Sequence, residues 1–80
     1  MQKIFLKRAT GLHERELIKE TNTKFYKLVI YKNIEPIYGG LYATALLSSH
    51  NTEIKTKNGL CLDAANELFN ITHKQLNTTN

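Results

Sequence analysis

Lys24-Phe25-Tyr26-Lys27-Leu28-Val29-Ile30-Tyr31-Lys32 interleaves aromatic and β-branched residues with lysines. That mixture suits one β-strand that faces two environments. Alternation along it, and along Lys3-Ile4-Phe5-Leu6-Lys7-Arg8, sorts the side chains into two sets. Ile4, Leu6, Tyr26, Leu28 and Ile30 form the more apolar set and are expected to make the core. Lys3, Phe5, Lys7, Phe25, Lys27, Val29 and Tyr31 fall on the opposite faces, and a helix covering the first set would leave them to solvent.

Outward from this segment, Lys3–Arg8 reads as a first strand closed by Thr10-Gly11. Residues 12–20 are expected to form a charged helix behind a Thr10 cap, with Glu14 and Glu16 near its positive end. The other reading of that stretch is a strand over Leu17-Ile18-Lys19-Glu20, turning through Thr21-Asn22-Thr23. Asn33, Pro36 and Gly39-Gly40 mark a connector. Leu41 to Ser49, rich in Ala and Leu, favours a second helix, with a strand as the other reading. Glu53-Ile54-Lys55-Thr56-Lys57 reads as a short exposed strand ending at an Asn58-Gly59 turn. From Leu62 the spacing Leu62, Ala65, Leu68/Phe69, Thr72 and Leu76 follows steps of three and four, which predicts a C-terminal helix. The expected fold is α+β: a small, mostly antiparallel sheet packed against a C-terminal helix, with one or two further short helices, in a single domain over 1–80.

Eighty residues support one small core and no deep substrate cavity, so function is expected on the surface. The formal charge of +4 is unevenly placed. Residues 1–32 carry eight Lys/Arg against three Glu, and the rest three against four acidic residues. A basic half attracts phosphates or acidic protein surfaces. One cysteine, Cys61, excludes an internal disulfide, and no apolar run approaches the roughly 20 residues of a membrane span. A cytoplasmic location is the expectation, because Ile4-Phe5-Leu6 is too short for a signal-peptide core.

Lys3, Phe5, Lys7, Phe25, Lys27 and Tyr31 are the candidate nucleic-acid contacts: bases stack on rings while ammonium groups neutralise phosphates. Ala64 to Leu76 resembles the helix-turn-helix of bacterial and phage DNA-binding regulators, with Phe69-Asn70-Ile71-Thr72 at the turn. That resemblance implies His73, Lys74 and Gln75 as major-groove contacts. Tyr26 and Tyr38-Gly39-Gly40 loosely resemble the tyrosine elements of GIY-YIG nucleases. That family's helical arginine has no counterpart in Leu41 to Leu47. His13, His50 and His73 lack metal-ligand spacing, and no nucleophile, acid and base come together, so no catalysis, metal, cofactor or small-molecule substrate is expected. The chain reads as a small basic nucleic-acid-binding regulator. The alternative is a protein-binding inhibitor or adaptor of the phage or mobile-element type, docking its basic face on an acidic partner.

Overall fold

The computed structural model describes residues 2–78. Strands β1 (Lys3–Arg8), β2 (Gly11–Asn22), β3 (Lys27–Ile37), β4 (Gly40–Leu47) and β5 (Glu53–Leu60) form one antiparallel sheet in sequence order, followed by helix α1 (Leu62–Thr78). This is the expected α+β arrangement, but mostly sheet, and α1 is the one helix among the described residues.

Residues 12–20 belong to β2 rather than to a helix. A helix there would carry Leu12, Leu17 and Ile18, which make no continuous apolar stripe. As a strand, residues 11–16 pair along the whole of β1, from Lys3↔Glu16 to Arg8↔Gly11, and Leu17, Lys19 and Glu20 pair with β3. Residues 41–47 likewise form β4. Ala43, Ala45 and Leu47 point to one buried layer, and Tyr42, Thr44 and Leu46 to the other. With both faces covered, the strand loses the alternation that marks half-buried strands, and packing overrides the helix propensity of Ala and Leu.

The connector expected after Lys32 is also partly strand. β3 continues through Pro36 to Ile37, and Tyr38-Gly39, both at positive φ (52° and 84°), form a two-residue hairpin turn. Pro36 is tolerated because the β3–β4 pairing lapses between Lys32 and Ile37. Asn58-Gly59 makes no turn. It opposes the single residue Ala43 as a bulge inside β5, with Gly59 at φ +76°.

The sheet curls, and its two faces build two cores. Ile4, Leu6, Val29, Tyr31, Ala43, Ala45 and Leu47 fill the concave interior. Leu28, Ile30, Ala65 and Phe69 pack the convex face beneath α1, flanked by Tyr42, Leu46 and Leu60. The expected single core is therefore corrected: Ile4 and Leu6 share a layer with Val29 and Tyr31, not with Leu28 and Ile30. The cause is the register through β2, which lies between β1 and β3: Ile4 pairs with Arg15, Leu17 stands on the same face two residues on, and Leu17 pairs with Tyr31.

Helix α1 is seated by Ala65 and Phe69, one turn apart and both buried on the sheet. Thr44 fixes its position by donating to the Ala65 carbonyl at 2.9 Å from within the core. Thr44→Val keeps the shape but removes that bond, and is expected to cost about 1–2 kcal/mol in urea unfolding. An unchanged midpoint would show that apolar packing alone seats the helix.

Candidate nucleic-acid interface

Cross-strand register sets the faces. On the convex side, successive rows read Lys7 and Leu12, then Phe5 and Glu14, then Lys3, Glu16 and Lys32. Beyond the bulge, Lys19 stands in the row of Ile30, Thr44 and Lys57, and Thr21 in the row of Leu28, Leu46 and Lys55. Helix α1 packs on β3, β4 and β5, so the convex side of β1 and β2 stays open beside it. Phe5 is 48% exposed there and Leu12 69% exposed.

The concave side treats its cations differently. Arg8 binds Glu53 through Nε and donates from Nη2 to the Tyr31 hydroxyl at 3.2 Å. Tyr31 donates to Glu53 at 2.9 Å, and Thr56 donates to the same carboxylate oxygen at 2.6 Å. Burial pushes the Tyr31 phenol well above its usual range, with the Glu53 charge adding to the effect, so the hydroxyl stays a donor. Arg15 Nε donates to Asn33 Oδ1 at 3.3 Å, and buried Asn33 donates to Asn58 at 3.1 Å. Lys27 lies 3.6 Å from Glu20 and donates to Asn51 Oδ1 at 3.3 Å. These cations are occupied by the fold.

On the convex side Lys3 has an ion pair with Glu14, at 3.5 Å between half-exposed side chains. Such a pair is worth at most about 1 kcal/mol and exchanges readily for a phosphate. Lys7 and Lys19 are exposed, Lys32 is half-buried, and the Lys19 ammonium sits 4.6 Å from the centre of the Phe69 ring. A cavity of about 270 Å³ lies at the edge of this strip, where β2 and β3 separate beyond the pair Glu16↔Lys32. Lys3, Arg15, Lys32 and Ile34 are among its lining residues.

The six candidate contacts therefore divide. Lys3, Phe5 and Lys7 share the open convex strip. Phe25 is 70% exposed, but at the β2–β3 hairpin tip, where it meets Tyr26 edge-on at 6.4 Å with Lys24 above its ring. Lys27 and Tyr31 face the concave side, and Tyr31 is fully buried, which removes it from any exposed aromatic face. The reason is the curl, which turns that face of β3 into interior.

Residues 64–76, which resemble a helix-turn-helix, lie inside α1, and Phe69-Asn70-Ile71-Thr72 is helical. His73 tilts against Phe69 at 6.2 Å, and Lys74 and Gln75 are exposed. Lys19, Lys32 and Leu12 had escaped the sequence reading. Strand alternation from Leu12 to Glu16 would have located Leu12, but the bulge at Ile18 hides Lys19 from any alternation count.

No family model, curated protein or solved structure matches this chain. Among the described residues no cluster of His, Cys, Asp and Glu could hold a metal ion, and no helix is long and apolar enough to cross a membrane.

Proposed function

We propose that this protein is a non-enzymatic binder of single-stranded nucleic acid, acting as a small basic regulator through the convex strip of β1 and β2. One observation carries the reading. A half-exposed Phe5 stands between Lys3 and Lys7, with Lys32 in the row of Lys3 and Lys19 in the row beyond it, while the concave cations are engaged in internal bonds. The ring offers a face on which any base can stack, and the flanking ammonium groups track the backbone phosphates. Little sequence preference is expected, since stacking tolerates every base.

Titrating a fluorescent oligothymidylate at several salt concentrations tests this. Affinity is expected to fall steeply as salt rises. Lys3→Ala/Lys7→Ala, removing two phosphate contacts, should reduce the salt slope by about 1.4. Phe5→Ala should weaken binding roughly tenfold with the slope retained. Phe25→Ala, at the distant tip, should do neither. No binding at low salt, or binding indifferent to Phe5, refutes the reading.

A further inference from the structure

The two edges of the sheet are finished differently. At β1 the Phe5 carbonyl accepts from Asn51 Nδ2 at 3.2 Å, the Lys7 amide donates to the Asn51 carbonyl at 3.0 Å, and Lys7 bridges Thr52. The chain's own 51–52 segment thus caps that edge. At the other edge, β5 pairs in the sheet with β4 alone among the described residues.

Bulges at Ile54 and at Asn58-Gly59 bracket a regular run, Lys55 to Lys57, whose strand partner among the described residues is β4 alone. Lys55 and Lys57 are exposed on the helix side, while Thr56 turns inward to Glu53. Between β5 and α1 runs a groove of about 280 Å³, walled by Leu46, Leu68 and the 48% exposed Ile71 beside the two lysines.

We propose that β5 is a docking edge for an extended acidic segment of a partner protein, which adds as a sixth strand with two carboxylates, two residues apart, opposite Lys55 and Lys57. A strand edge selects a peptide because a peptide supplies donors and acceptors at strand spacing, which a nucleic acid backbone does not. The spacing of the acids follows from the lysines, since residues i and i+2 share one face of a strand. A second copy of this chain is disfavoured as the occupant: β5 against β5 would gather four ammonium groups along one seam. The apolar groove wall receives the aliphatic stems of the incoming acidic side chains.

The test titrates the isotope-labelled full chain with the blocked heptapeptide Thr-Glu-Val-Glu-Val-Glu-Thr, recording amide shifts and hydrogen exchange. The expected result is shifts centred on Ile54 to Asn58 and at least tenfold slower exchange of the Lys55 to Lys57 amides. A peptide of the same composition ordered Glu-Glu-Thr-Val-Val-Thr-Glu, and the variant Lys55→Glu/Lys57→Glu with the first peptide, should each bind at least tenfold more weakly. Both lysines are exposed, so that variant is expected to keep the wild-type circular dichroism. Equal binding of the two peptides, or shifts at β5 from oligothymidylate and none from peptide, overturns the proposal.

Discussion

Gly40→Ala is expected to leave the chain largely unfolded at 25 °C. Gly40 opens β4 directly after the Tyr38-Gly39 turn, and a Cβ placed on it would stand 2.5 Å from the Leu60 nitrogen and 2.6 Å from the Gly59 carbonyl oxygen. Those atoms are backbone, so no side-chain rotation relieves the clash. They also belong to the β5 bulge, whose Gly59 already sits at φ +76° with a would-be Cβ 2.9 Å from that of Tyr38. Opening the contact means separating β4 from β5 and lifting α1, which starts two residues after Leu60. The cost should exceed about 4 kcal/mol, comparable with the whole stability of a domain this small. Gly11→Ala is the control: nothing lies within 4 Å of its would-be Cβ, and only its φ of +115° is strained. It should lose about 1–3 kcal/mol and stay folded. Thermal melts of both variants decide the matter, and a Gly40→Ala melting within a few degrees of wild type would refute the close approach.

The elements that were legible in the residues are those whose neighbours leave one side wet. β1 and α1 show their alternation and their three-and-four spacing because each buries one face. β4 does not, since Ala43 and Ala45 must be small beside the Tyr31 ring while Tyr42 and Leu46 meet the helix. β2 was obscured by the bulge at Ile18 and by its charged composition. The same division runs through the candidate site. Lys3, Phe5 and Lys7 lie on a strand covered on one side, and alternation placed them on the open one. Tyr31 lies where the sheet curls over itself, and the curl depends on contacts between Arg8 and Glu53, 45 residues apart, which no local pattern encodes.

That closure sets the second large effect. Glu53, at the start of β5, gathers Arg8 from β1, Tyr31 from β3 and Thr56 from its own strand. Its side chain is 16% exposed and that of Arg8 30% exposed, so the cluster is mostly out of water. Burial by itself raises the Glu53 carboxyl, but the hydrogen bonds from Arg8, Thr56 and Tyr31, with the Arg8 charge, outweigh it and hold the group below its usual range. The hydrogen bond to Glu53 is in turn the main reason the Arg8 guanidinium is held above its ordinary value. Glu53→Ala strands three donors at the seam, the Arg8 guanidinium among them, and should cost about 3–4 kcal/mol. A carboxyl depressed on folding contributes stability that is complete above its unfolded value of about 4.3 and is lost as pH falls through the lower folded value. Wild-type unfolding free energy should therefore drop between roughly pH 5 and pH 3. Glu53→Gln should start lower at pH 7 and decline less over that window, because it has no proton to take up. Urea titrations of both proteins across the range measure the difference. Parallel slopes would mean that the sheet is held closed by Lys7 and Asn51 and that Glu53 contributes no charge to the seam.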